Sequence, residues 1–82
     1  AWLERSVVVM GVMEAALTPL MEEIERMHEV KVFSLPSVDH PQFGRHIELG
    51  VKGEPAAVGV AFAQLLVGLQ KQGARLGPEM VR

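Results

Sequence analysis

Apolar residues recur along this chain with two periods, one typical of strands and one typical of helices. Residues 6–10 form an uncharged β-branched run that ends at Gly11, which predicts a buried first strand. From Leu17 to His28, apolar side chains recur at steps of three and four between glutamates, which predicts an amphipathic helix. Because proline is tolerated near a helix start, the position of Pro19 places that start between Glu14 and Thr18.

The middle of the chain alternates apolar and polar residues with a period of two. Residues 30–35 predict a second strand, and residues 46–52 predict a third strand with the clearest alternation in the chain. Between them, residues 36–45 contain two prolines and a glycine, a composition typical of a loop. The sequence therefore predicts two strands joined by a long loop.

A second helix is predicted to begin after Gly53 and Glu54, with Pro55 near its first position, and to end at Gly73. Its apolar stripe consists of Val58, Phe62, Leu65, Leu66 and Leu69. Glycine is unfavourable inside a helix, so we expect Gly59 and Gly68 to face the sheet or a partner at close approach. Residues 74–82 contain a Gly-Pro breaker and allow at most a short edge strand.

This order of elements predicts an α+β fold, a single domain that spans residues 1–82. Two helices on one face of a three- or four-stranded antiparallel sheet, in the order βαββα with an optional last strand, would bury both helix stripes. The ferredoxin-like motif has this arrangement and implies the spatial strand order 1-3-2. Met10, Met21 and Met27 fall on predicted core positions.

Composition narrows the classes of function. The net charge is −2, the eight Lys and Arg residues are scattered singly, and cysteine is absent, so neither a strongly basic face nor thiol chemistry is indicated. No apolar run approaches the roughly 20 residues of a membrane helix, so we expect a cytoplasmic protein that does not enter a membrane. The chain begins at Ala1 without methionine and enters an apolar segment within a few residues, which suits a piece of a longer polypeptide, and removal of an initiator methionine is the alternative.

The candidate chemistry is concentrated in the predicted loop and its flanks. We predict that this region contacts a ligand or a partner through Ser34, Ser37, Asp39, His40, Arg45 and His46. A metal site or a hydrolytic centre is not favoured, because no third histidine or carboxylate lies at ligand spacing. No catalytic residue and no cofactor are predicted.

Glycines at positions 50 and 53 match the GxxG pattern that clamps nucleic acid in KH domains. In KH domains that loop joins two helices, whereas here it ends a predicted strand. A nucleic-acid partner is disfavoured by this context and by the acidic net charge.

Three segments carry a resemblance to a known family: GVMEAALTPL at residues 11–20, VKVFSLP at 30–36 and RHIEL at 45–49. Together they resemble the small domain that follows the molybdopterin-binding-like domain of competence/damage-inducible (CinA-type) proteins and FAD-synthase-like chains. The resemblance covers roughly residues 7–69. The family's Gly-Ser-Tyr-Pro motif is changed here, since Phe33 and Leu35 replace its glycine and tyrosine.

The resemblance implies that nucleotide or pterin binding belongs to a preceding domain of the same polypeptide, and it carries over no catalytic residue. Our leading hypothesis is therefore a non-catalytic accessory domain beside that module, with a role in dimerisation as a further expectation. Two alternatives stay open: a stand-alone ferredoxin-like domain that binds a ligand or regulates, and a KH-like nucleic-acid binder.

Overall fold

The computed structural model describes residues 2–82, which form two helices and four strands. In chain order the elements are β1 (Leu3–Met10), α1 (Glu14–Met27), β2 (Val30–His40), β3 (Gly44–Gly53), α2 (Pro55–Lys71) and β4 (Arg75–Val81). The strands form one antiparallel sheet in the order β2-β3-β1-β4. The predicted α+β sandwich with a ferredoxin-like arrangement is confirmed, and the optional last strand is present as β4.

Both helices pack on the same face of the sheet, and the core lies between the two layers. Alternate residues of the two central strands point into it, among them Val7, Val9, Leu49 and Val51, all 0 or 1% exposed. The other face of the sheet, called the open face below, carries no helix. Its side chains include Lys31, Phe33, Leu35 and Ser37 of β2, His46, Glu48 and Lys52 of β3, Glu4, Ser6, Val8 and Met10 of β1, Arg75 and Met80 of β4, and Arg82.

The predicted loop at residues 36–45 is wrong, because β2 continues to His40 and β3 already begins at Gly44. The connection is a tight turn that ends at Gly44, whose φ of 61° lies in the left-handed region that favours glycine. Proline is accepted in β2 because β2 is an edge strand, where a residue without an N–H need not break a ladder. The other edge strand, β4, likewise contains Pro78.

Two of the three methionines predicted in the core lie elsewhere. Met21 packs against the core partly buried, as predicted. Met10 is partly buried on the open face, and Met27 at the end of α1 is exposed. The spacing of the apolar residues is as predicted, but the apolar stripe of α1 narrows at its end, so the Met27 side chain, three residues beyond the core position Ile24, reaches solvent.

The two glycines of α2 differ in their surroundings. A Cβ on Gly68 would lie 2.5 Å from Leu20 Cδ1, so this glycine allows α1 and α2 to approach closely, and it faces the other helix instead of the sheet or a partner as expected from the sequence. A Cβ on Gly59 would meet nothing within 4 Å, so the expected close contact is not made within residues 2–82. Gly59 therefore lowers the stability of α2 relative to alanine, and no close contact within residues 2–82 offsets this loss.

We expect Gly59→Ala to raise the free energy of unfolding by about 1 kcal/mol, because alanine is the better helix former and the space is open. The matched control is Gly68→Ala, which has the same gain in helix propensity but adds its methyl against the Leu20 side chain, so it should stabilise the protein less than Gly59→Ala does or destabilise it. Urea denaturation followed by circular dichroism measures both. Equal effects of the two substitutions would contradict this account.

Candidate functional site

The six residues predicted to form one ligand or partner loop lie in three places, and two of these places adjoin because the rings of His40 and His46 are in contact. Ser34 lies within β2, where its hydroxyl donates to Glu14 Oε2 of α1 at 2.8 Å. Asp39 and His40 lie at the end of β2, beside the turn. The remaining three, Ser37, Arg45 and His46, line a groove together.

The turn is held by an aromatic cluster. The His40 ring stacks on Phe43 with centroids 4.7 Å apart, and the His46 ring meets it edge-on at 5.3 Å. His40 Nδ1 accepts hydrogen bonds from the backbone N–H groups of Gln42 and Phe43, at 3.0 and 3.1 Å. Nδ1 of His40 is therefore occupied by these two hydrogen bonds and is not free to bind a metal ion.

The groove lies between the start of α1 and the turn ends of β2 and β3, with a volume of about 570 Å³. Its walls are mainly apolar and include the exposed side chains of Met13 and Val38. Arg45 and His46 add polar groups at the rim. No group of three His, Asp or Glu side chains in residues 2–82 is arranged to hold a metal ion.

A polar network crosses the open face and was not indicated by the sequence. The hydroxyl of Ser6, a residue with no solvent exposure, donates to Glu48 Oε2 at 2.6 Å. Arg82 donates through Nη2 to the same oxygen at 2.7 Å and through Nη1 to Glu4. The backbone of Arg82 also pairs with that of Glu4 in both directions. This network joins β4, β1 and β3.

The network sets the protonation of Glu48. Burial by itself raises the pKa of this carboxyl, but the hydrogen bonds from Ser6 and Arg82, with the positive charge of Arg82, outweigh it and hold the pKa below its ordinary value. The same carboxylates raise the pKa of Arg82. Glu48 is therefore a bound anion at neutral pH and not a proton donor.

The register places two lysines side by side on the open face. Lys31 of β2 is the direct partner of Lys52 of β3, and both are exposed. They line a depression of about 600 Å³ together with Trp2, Glu4 and Phe33. Trp2 is 66% exposed there, whereas its neighbour Leu3 packs against the core.

Helix α2 is apolar on its outer side as well as its inner side. Its inner side buries five residues: Val58, Ala61, Phe62, Leu65 and Leu69. At spacings of four, three and four residues on the opposite side lie Ala56, Val60, Ala63 and Val67, called the outer stripe below. Val60 and Val67 are 61% and 48% exposed. A surface helix ordinarily carries polar residues at such positions.

Gly50 and Gly53, the ends of the GxxG pattern, are both buried within β3. Their backbone is paired on both sides, with β2 and with β1. The segment thus forms part of a central strand and not a loop between helices.

The chain was compared with protein-family models, with curated proteins and with solved structures, and no match was found. Neither helix described in residues 2–82 has the length and apolarity needed to cross a membrane. The strand order and the two helices on one face of the sheet define the class of fold as an α+β sandwich with a ferredoxin-like arrangement.

Proposed function

We propose that this chain is a non-catalytic accessory domain that docks, through the outer stripe of α2, on a neighbouring domain of the same polypeptide. The observation that carries the proposal is the absence of any polar residue from that stripe over three helical turns, from Ala56 to Val67. A helix that is apolar all round is normally buried on all sides. One side of α2 lies on the core, and a partner would cover the other.

The size of the stripe favours a tethered partner over a free one. Its 11 steps rise about 16 Å and the helix is about 10 Å wide, so the footprint is on the order of 160 Å². A stable interface between separate proteins buries about 800 Å² on each side. Covalent linkage replaces part of the missing affinity with a high effective concentration. A domain of the same chain is therefore the occupant that this stripe fits.

The family resemblance supplies the identity of that neighbour. Segments 11–20, 30–36 and 45–49 resemble the small domain that follows a molybdopterin-binding-like domain, which handles a nucleotide or a pterin. In this proposal the chemistry belongs to that neighbour, in the cytoplasm, and the present domain supports it. The side chains of Ser6, Glu48 and Arg82 bind one another, which fits such a structural role.

The proposal is tested on the protein encoded by the full reading frame. Val60→Glu with Val67→Glu should lower the thermal midpoint of the full protein and separate its unfolding into two transitions. The same pair of substitutions in the 82-residue chain should change the free energy of unfolding by only about 0.5 kcal/mol, because both side chains are already exposed. Differential scanning calorimetry of both proteins measures the contrast.

The matched control replaces exposed residues away from the stripe, Glu22→Gln and Gln72→Glu, and should leave the full protein unchanged. A reading frame with no further domain would contradict the proposal, as would turnover of nucleotides by the 82-residue chain. If the 82-residue chain sediments as a dimer and the stripe substitutions convert it to a monomer, the stripe binds a second copy of the chain instead.

A further inference from the structure

Two lysines lie opposite each other on the open face and have no counter-ion within residues 2–82. Lys31 and Lys52 are direct partners across β2 and β3. Like charges opposite each other on neighbouring strands repel and destabilise the pairing. Both side chains are exposed, so the repulsion is reduced by water but not removed. An anion bound between the two lysines would remove this repulsion.

The carboxylates nearest to the pair in the sheet are already engaged. Glu4 is the partner of Lys52 on the β1 side, but its carboxylate binds Arg82. Glu48, two residues before Gly50 in β3, is bound by Ser6 and Arg82. Among residues 2–82 the ion pairs involve Arg5 and Arg82 only, and neither lysine takes part. The lysine pair is thus left for a ligand from outside.

An aromatic wall adjoins the lysine pair. Trp2 and Phe33 line the same depression, and Trp2 exposes most of its surface to water. An exposed indole beside two ammonium groups offers a flat apolar face for a planar ring and positive charge for a phosphate. The depression of about 600 Å³ is within the size range of small-molecule sites.

We propose that this depression binds a phosphate joined to a planar ring, the chemistry of a nucleotide, with the phosphate between Lys31 and Lys52 and the ring against Trp2. The site is on the side of the sheet away from the helices, so it is independent of the docking stripe on α2. A free nucleotide and a nucleotide within a single strand share this chemistry.

Trp2 is the only tryptophan of the chain, so its fluorescence directly measures binding in the depression. We expect AMP to change its fluorescence saturably at low salt, with excitation at the red edge where adenine does not absorb. Inorganic phosphate lacks the ring and adenosine lacks the charge, so each should bind at least about tenfold more weakly. The affinity for AMP should fall as salt rises.

The chain contains three lysines, which gives a matched set of variants. Lys31→Ala with Lys52→Ala should weaken AMP binding at least about tenfold, because both phosphate contacts are lost. Lys71→Ala removes the third lysine, at the end of α2, and should leave binding unchanged. Circular dichroism of each variant verifies that the fold is kept, as expected for exposed side chains.

A second measurement places the ligand without relying on any variant. In amide NMR spectra, AMP should shift the signals of Phe33 and Lys52 and the indole N–H of Trp2, and leave α2 unchanged. A short oligoadenylate that binds more tightly than AMP at this site would assign it to single strands, and equal or weaker binding would assign it to free nucleotides. The inference is overturned by the lack of a saturable response, by adenosine binding as well as AMP, or by equal losses in Lys71→Ala and the double variant.

Discussion

Replacing Gly50 with alanine should lower the free energy of unfolding by about 2–3 kcal/mol, although the change adds a single methyl group. A Cβ at this position would lie 2.5 Å from Cζ of Phe33, 2.7 Å from the carbonyl oxygen of Arg5 and 2.7 Å from Cβ of Ser6. The phenyl ring can move aside, but the carbonyl of the neighbouring central strand cannot move without disturbing the sheet. Glycine at position 50 therefore allows the Phe33 ring to cover the strand at the open face.

Chemical denaturation at neutral pH measures this effect, and Gly59→Ala is the control for the same added methyl in open space. The double variant Gly50→Ala with Phe33→Leu should recover only part of the loss, since the contact with the Arg5 carbonyl persists. Full recovery would assign the whole clash to the ring, and a Gly50→Ala protein as stable as the original would contradict the packing described here.

Removing the carboxylate of Glu48 should lower the free energy of unfolding by about 2 kcal/mol in Glu48→Ala. The hydroxyl of Ser6 is fully buried and would lose its acceptor, and hydrogen bonds to charged groups contribute about 1.5–3 kcal/mol. The control is Glu79→Ala, which breaks the exposed ion pair with Arg5 at 3.6 Å and should cost at most about 1 kcal/mol. Equal losses in both variants would show that the Ser6 contact contributes nothing.

The stability of the protein should also fall with pH through Glu48. Its folded pKa is lower than its ordinary value, so its contribution is complete above the unfolded pKa of about 4.3 and is lost as pH falls through the folded pKa. Glu48→Gln cannot titrate at this position. The stability difference between the original protein and Glu48→Gln should therefore shrink as the pH is lowered below about 4.3, and a difference that stays constant would contradict the lowered pKa.

The residues predicted to form one site show where sequence reasoning was insufficient. Loop composition grouped Ser34, Asp39 and Arg45 because they are near in sequence. The edge position of β2 allows its proline to be part of a strand, so the strands run to the turn and divide these residues among different surfaces. Whether β2 lies at the edge depends on the order of all four strands, so a few neighbouring residues in the sequence do not reveal it.

The surfaces that carry the two proposals were also hidden from the sequence, for different reasons. The lysines are 21 positions apart in the chain, and only the β2–β3 register makes Lys31 and Lys52 neighbours. In α2 the sequence predicted the inner stripe, but only the packing showed that the opposite side, with Val60 and Val67, is left uncovered within residues 2–82. The sequence also indicated neither Arg82 nor Ser6 as a partner of Glu48, since their strands meet only in the sheet.

The order of elements, the class of fold and the inner stripes of both helices were determined by the sequence alone, because period and breaker residues act over a few neighbours. The ends of the hairpin, the unused space at Gly59, the Glu48 network and the lysine pair were decided by the tertiary structure. Each of these depends on which strands become neighbours and in which register, and that choice is made by the burial of the whole core at once.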